Sequence, residues 1–278
     1  MSEAQWFAGG CRKACRSPQW PAMRAPQATD CHFRSRCVSR SMDISASRSA
    51  LAGADQKILI LSDGDARAVM RHHANIISAG TAASLRHVTF TSIVDVEARS
   101  PFYDAPVYRD ADRLEDRGIP TTIVRCGLYS DFILKHWLTP SPESEEVLLP
   151  TGQGCMAPIS RDGVAAAIAA IASQPGEHHL RCVLTGHRAL ILDEIVTTFG
   201  KLAGQPIHRD TDIGDYLVWA WVRLNDPWSH AFSASCSSIA DGRYSHVSGD
   251  FAELVGREPE RLLEFPGHTL SAKPPDYR

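Results

Sequence analysis

The sequence predicts an α/β fold, a parallel β-sheet with helices on both faces, followed by a small, mainly helical lid at the C-terminal end. Three observations carry this. From Ala50 onward, short apolar runs alternate with amphipathic stretches of helical period, which is the pattern of repeated βαβ units. The apolar runs are nearly continuous, as strands buried on both faces require. With 278 residues, 44% of them hydrophobic, the chain is long enough to enclose one large core of this kind.

In order, "KILIL" (57–61) predicts the first buried strand of this pattern, and "ARAVMRHHANIISAG" (66–80) a helix turning Val69, Ile76 and Ile77 inward and stopping at Gly80. "HVTFTS" (87–92) predicts a strand, "VYRDADRLEDRG" (107–118) a helix stopped by Gly118, and "TTIVRCG" (121–127) another strand. "YSDFILKHWL" (129–138) predicts a short helix, and "EVLLPTGQGCMAPIS" (146–160) two short strands around a glycine-containing turn. The Ala-rich "RDGVAAAIAAIAS" (161–173) suits a helix packed closely on a sheet, "HLRCVLTG" (179–186) a further strand, and "LDEIVTTFGKLAG" (192–204) a helix with Asp193 and Glu194 well placed in its first turn. The last 70 or so residues are expected to be mostly helical and Trp-bearing, then a Pro-rich tail.

Composition bounds the function. A net charge of -3 and a pI near 6.4 give no reason to expect nucleic acid or an anionic membrane as partner, and no apolar run approaches the roughly 20 residues that span a bilayer. A small-molecule substrate is the expected ligand. Eight scattered cysteines and a start without an apolar secretory stretch predict a reducing, cytoplasmic location.

Residues 1–48 have a different texture: rich in Arg, Ser, Pro and Cys, poor in acids, and without apolar periodicity. Cys11, Cys15, Cys31, Cys37 and His32 raise the question of zinc, but their spacing fits no common finger, and no metal site is expected. The acid-poor start also resembles an organellar transit peptide, although Pro18, Pro21 and Pro26 would break its helix. The chain therefore divides into an irregular segment (1–48), a sheet-bearing core (49–190) and a helical region (191–278).

"SALAGADQKILILS", "RHHANIISAG", "RHVTFTS", "YRDADRLEDRGIPTTIVRCGLYSDF", "ISRDGVAAAIAAI", "LTGHRALILDEIVTTFGKLAGQPI" and "LVGREPERLLEF" follow one another with the order and spacing of a known family. Over residues 49–265 the chain resembles the NmrA-like branch of the atypical short-chain dehydrogenases, which includes NAD(P)H:quinone oxidoreductases. The resemblance implies a Rossmann-type domain that binds NADP or NAD, and an oxidoreductase acting on quinone-like substrates. Non-catalytic NAD(P) sensing, with a protein partner, is the alternative it leaves open.

The same resemblance implies a Gly-x-x-Gly-x-x-Gly turn after the first strand, where side chains would block the pyrophosphate and helix N–H groups attract it. This sequence has no such motif. Residues 1–48 are expected to replace the first βαβ unit, through an out-of-frame or wrongly joined coding segment, or else to be a divergent N-terminus. The sheet is thus expected to be incomplete at its N-terminal side, with a neighbour's edge exposed and cofactor binding weak or lost.

Six residues are candidates for the site. Tyr108 would be the catalytic acid, but the cation that lowers a phenol's pKa is missing, since Asp112 stands four positions on where typical short-chain dehydrogenases place a lysine. A helix-surface pair is the plainer reading. Thr91 and Ser92 end a strand where α/β sheets bind ligands, so either hydroxyl could orient a nicotinamide or a carbonyl oxygen. The resemblance places Ser62 and Asp63 beside the adenine, and Tyr129 beside nicotinamide and substrate. Asp162 reads as a helix N-terminal contact, the pairs His72-His73 and His178-His179 as divergent neighbours, and Trp219, Trp221, Trp228 and Phe232 as lid core before aromatic wall.

Overall fold

A computed structural model describes residues 51, 53–60, 71, 74, 75, 78, 79, 82, 85–96, 99–101, 105, 108, 118–138, 146–173, 180–203, 207–210 and 228–262. Four parallel strands, β1 (Gln56–Leu59), β2 (His87–Ile93), β3 (Thr121–Cys126) and β6 (Leu180–Leu184), form the main sheet in the order β1-β2-β3-β6. Parallel pairing requires a crossover between neighbours. Helical backbone at 71, 74, 75, 78, 79 and 82 lies between β1 and β2, and at 105 and 108 between β2 and β3. Ala82 lies two positions past the stop expected at Gly80, which itself falls outside the described residues.

The register explains which side chains meet. Phe90 pairs with Ile123, and Ser92 with Arg125, so these four share one sheet face. Leu59, Leu85, Val88, Phe90, Ile119 and Ile123 form a core there, with Tyr108 packed against it. Val124, Cys126, Cys182 and Leu184 face the other way, under α2 (Arg161–Ser173) and α5 (Asp250–Val255). Helices thus cover both faces. Ala167 and Ala170 are buried in α2, and a Cβ on Gly163 would lie 3.5 Å from the Phe251 ring, so this helix sits close against α5. Gly118 adopts a left-handed conformation, φ 74°, at the expected helix stop.

β1 stands at the end of the sheet. No described strand pairs with its outer edge, and Ile60, just beyond it, is 68% exposed. Its other contacts are firm: Ile58 packs toward the α2 side, and Gln56 Nε2 donates to the Ala172 carbonyl at 3.3 Å.

The "YSDFILKHWL" segment begins as helix α1 (Ser130–Phe132) and continues as a π-helical turn over Ile133–Trp137, closed by the Leu138 N–H donating to the Ile133 carbonyl at 3.1 Å. The two strands expected around the glycine turn exist, as β4 (Glu146–Leu148) and β5 (Cys155–Met156), but they do not pair with each other. β4 runs parallel to β8 (His208–Asp210), and β5 antiparallel to β7 (Leu190–Ile191). Each strand finds a partner from beyond β6, so local hairpin logic fails here.

A second core fills the C-terminal region. Ile133, Trp137, Val147 and Met156 join Ile195 and Phe199 of α3 (Leu192–Ala203) and Phe232 and Ile239 of α4 (Trp228–Ala240). This packing crosses the boundary expected at 190/191. Phe232 is buried, with its ring 5.0 Å from Phe132 and 6.5 Å from Trp137, so it is core. Trp219 and Trp221 lie outside the described residues, as do residues 1–48 and their cysteines. No described helix is long and apolar enough to cross a membrane.

Candidate functional site

A cleft of about 220 Å³ opens where β2, β3 and β6 end. Val94, Arg125, Gly127, Val183 and Thr185 line it from the sheet, and Arg243, Tyr244 and His246 from the turn after α4. Ligands of open parallel sheets sit at this carboxyl edge. Arg125 and Val183 are partners in register, which puts both on the face shared by Ser92.

Backbone crossings hold the rim. Gly127 N–H donates to the Leu184 carbonyl at 2.9 Å, Gly186 N–H to Ala157 at 3.1 Å, and Ala157 N–H to Tyr244 at 3.0 Å. A Cβ on Gly186 would overlap the Pro158 carbonyl oxygen, and one on Gly154 the Ile239 carbonyl, so both positions need glycine for close approach.

The C-terminal part of the rim is fastened by a buried charge. Asp95, 1% exposed, accepts from Ser238 Oγ and, at 3.2 Å, from Arg243 Nη1. Arg243 Nη2 donates to the Arg99 carbonyl at 3.0 Å. A buried carboxylate is tolerable only when paired and hydrogen-bonded like this. Sequence reasoning missed Asp95 and Arg243. "TSIVD" offered a faint signal, an acid just past a strand end, but its partner lies 148 positions away.

Of the six candidates, Ser92 and Tyr108 lie on the cleft's face of the sheet, and Thr91 on the opposite one. Ser92 is 3% exposed and sits one strand spacing, about 4.8 Å, from Arg125. Tyr108 is half-buried against the Phe90 and Ile123 core on that face. Thr91 lies on β2 beside Ser92, but its hydroxyl donates to the Leu59 carbonyl at 3.3 Å, tying β2 to β1. Tyr129 follows β3 and packs with the core under α2, with the Arg161 guanidinium 4.7 Å from its ring centre. Burial pushes its phenol well above the usual 10, and the neighbouring Cys126 adds to this. Cys126, whose Sγ donates to the Val124 carbonyl at 3.7 Å, is itself pushed up to about 12 by burial. Ser62, Asp63 and Asp112 lie outside the described residues. Asp162 stands in the first turn of α2.

No family model matches the chain. Quinone oxidoreductase 2 of Escherichia coli (strain K12) is 26% identical over 235 residues, which cover 82% of this chain and 80% of that protein. The crystal structure of that NADPH-dependent enzyme complexed with NADPH superposes with a TM-score of 0.72 at 25% identity, covering 80% of this chain and 79% of the other. The chain is thus distantly related to this quinone oxidoreductase. The NmrA-like family domain-containing oxidoreductase flvB of Aspergillus flavus is 26% identical over 70% of this chain and 66% of its own length. Citrobacter sp. triphenylmethane reductase complexed with NADP(H) shares the fold, with a TM-score of 0.72 at 22% identity over 82% of this chain and 79% of that one.

These NmrA-like structures carry NADP(H), so the fit of a dinucleotide to this chain is a fair test. The described residues do not supply it. The cleft is below the roughly 300–1,000 Å³ that accommodates drug-sized ligands, and a dinucleotide is larger still. The α2 N-terminus is taken by the chain's own side chains: Asp131 accepts from Arg161 N–H at 2.8 Å and Ser160 Oγ from Gly163 N–H at 2.9 Å. No described turn offers a glycine-rich cradle in its place.

Proposed function

We propose that this chain is an NAD(P)H-dependent oxidoreductase of the quinone reductase type, impaired in dinucleotide binding by the lack of a glycine-rich turn. The observation that carries the reading is the small cleft at the ends of β2, β3 and β6, in a chain aligned with 80% of a quinone oxidoreductase. In this reading Val94, Val183 and Tyr244 hold a flat substrate and keep water from its faces, while Ser92 orients a ring oxygen. Tyr108 is the candidate proton donor from the same sheet face. A quinone suits such a site because its reduced oxygens take protons readily from water or a hydroxyl, with little need for a tuned acid. A small-molecule substrate in the cytoplasm completes the picture.

The absence of any Tyr-x-x-x-Lys pair in the sequence favours one other reading, a non-catalytic NAD(P) sensor. NADPH oxidation in the presence of 1,4-benzoquinone, against a protein-free control, separates the two. The reductase reading predicts quinone-dependent turnover that rises linearly with NADPH up to about 1 mM, beyond the usual KM range. No turnover above control at any concentration overturns it.

A further inference from the structure

The two ends of the main sheet are finished differently. At the β6 end the chain caps its own edge: Leu184 turns its carbonyl to the Gly127 N–H on the β3 side, so the neighbouring Val183 N–H faces outward, where the Asp250 carboxylate of α5 accepts it at 2.7 Å. At the other end β1 has no such cap among the described residues. The Asp55 carbonyl accepts from the Arg86 N–H at 2.8 Å and the Leu59 carbonyl from the Thr91 hydroxyl, so Asp55, Lys57 and Leu59 turn their main-chain groups toward β2. Strand alternation then turns those of Gln56, Ile58 and Ile60 outward. Solvent reaches that edge. Gln56, Lys57 and Ile58 are half-buried where β2 and β3 are almost wholly buried, and Ile60 is 68% exposed. Strands of a parallel sheet are ordinarily covered, and a bare row of N–H and C=O groups is a template for another strand.

We propose that the outer edge of β1 pairs antiparallel with the same edge of a second copy of this chain, joining two sheets across a two-fold axis. The irregular 1–48 segment has no apolar alternation that would make a strand for this place, whereas a second β1 brings the same outward groups. Charge selects the register. With Ile58 opposite the second copy's Ile58, Gln56 faces Ile60 and Lys57 faces Leu59. Setting Gln56 opposite Ile58 instead would put Lys57 against Lys57, which like-charge repulsion disfavours. The first register also covers the exposed Ile60. Each copy uses its β1 edge once and caps its β6 edge itself, so the assembly closes as a dimer and does not grow into a fibre. The paired run is short, and the association is weak and reversible. None of this depends on the quinone reading.

The test is sedimentation velocity of the full chain from about 1 to 500 μM, a range suited to a weak, small interface. A reversible monomer–dimer equilibrium is expected. Ile60→Pro removes an outward N–H from each copy and no bond to β2, and it should weaken the dimer at least about tenfold. Should that variant lose its circular dichroism, cross-linking still decides. Directly opposed hydrogen-bonded residues sit about 5.5 Å apart, within disulfide reach. Ile58→Cys, oxidised with copper phenanthroline, should therefore join two copies through that position, and so should Gln56→Cys mixed with Ile60→Cys, whereas Ile60→Cys alone should not join to itself. Peptide mass spectrometry reads each product. A monomer at every concentration, growth past the dimer, a dimer that Ile60→Pro leaves unchanged, or cross-links in another register overturn the proposal. A monomer whose Ile58 amide nonetheless resists hydrogen exchange assigns the edge to a segment of the same chain, and overturns it too.

Discussion

Arg243→Met should detach the C-terminal rim of the cleft at a predictable cost. The guanidinium lies 3.2 Å from Asp95, whose side chain is fully buried, while Arg243 is 19% exposed. At an effective dielectric near 20, two unit charges at that separation attract by about 5 kcal/mol before desolvation is counted. Removing one partner leaves the other buried and unpaired, which costs about 3–5 kcal/mol in general. The bond to the Arg99 carbonyl adds about 1 kcal/mol. Asp95→Asn should cost less, about 1–3 kcal/mol, because Ser238 keeps a partner and Arg243 can turn toward water. The double variant should then fall short of the sum by about 1–3 kcal/mol. Urea unfolding of the four proteins, followed by tryptophan fluorescence and far-ultraviolet circular dichroism, measures this. Costs that add within about 0.5 kcal/mol, or an Arg243→Met cost below about 1 kcal/mol, refute the view that this pair fastens the rim.

Gly154→Ala puts a methyl group into the Ile239 carbonyl, backbone against backbone, and should cost about 3 kcal/mol by urea unfolding, the upper part of the overpacking range. Gly152→Ala, where φ is 55° but the space is open, should cost less, about 1 kcal/mol. Alkali should destabilise the fold: thiols ionise near 9 in the unfolded chain, but burial keeps Cys126 protonated to about 12 and raises Cys182 also. Between those values the native state holds the extra protons, so stability falls as pH rises, by about 1.4 kcal/mol per pH unit for each thiol; stability constant from pH 8.5 to 10.5 would contradict this. Iodoacetamide labelling read by peptide mass spectrometry should mark Cys155, which is partly exposed, well before the buried Cys126 and Cys182.

Most of the sheet was legible because parallel strands announce themselves. "HVTFTS" and "TTIVRC" are short apolar runs bounded by turn residues, and they became β2 and β3 nearly residue for residue. The Ala-rich run became α2 over the same residues, since little but close packing suits so many small side chains. The pairing of β4 with β8 and β5 with β7 was illegible, because each two- or three-residue strand carries too little pattern to name a distant partner. The π-helical turn at Ile133–Trp137 was hidden too, since "ILKHW" has the apolar spacing of an ordinary helix.

The site was little legible. Thr91 and Ser92 were expected at a ligand-binding strand end, but neither is among the described residues that line the cleft, and the Thr91 hydroxyl bonds the Leu59 carbonyl. Arg125 was passed over inside an apolar strand, where a lone cation looks like an interruption, though β-sheet alternation puts it on the cleft face. Arg243 and His246 come from a turn with no motif, held beside the cleft by the Asp95 and Arg99 bonds of Arg243 and by the Ala157–Tyr244 backbone bond.

Fluorescence titration of the purified chain with NADPH tests the central claim most directly, that this parallel-sheet fold keeps a small cleft at its strand ends while its sequence lacks the glycine-rich turn that cradles a pyrophosphate. The account predicts no saturation below about 1 mM NADPH. A dissociation constant in the micromolar range would contradict it.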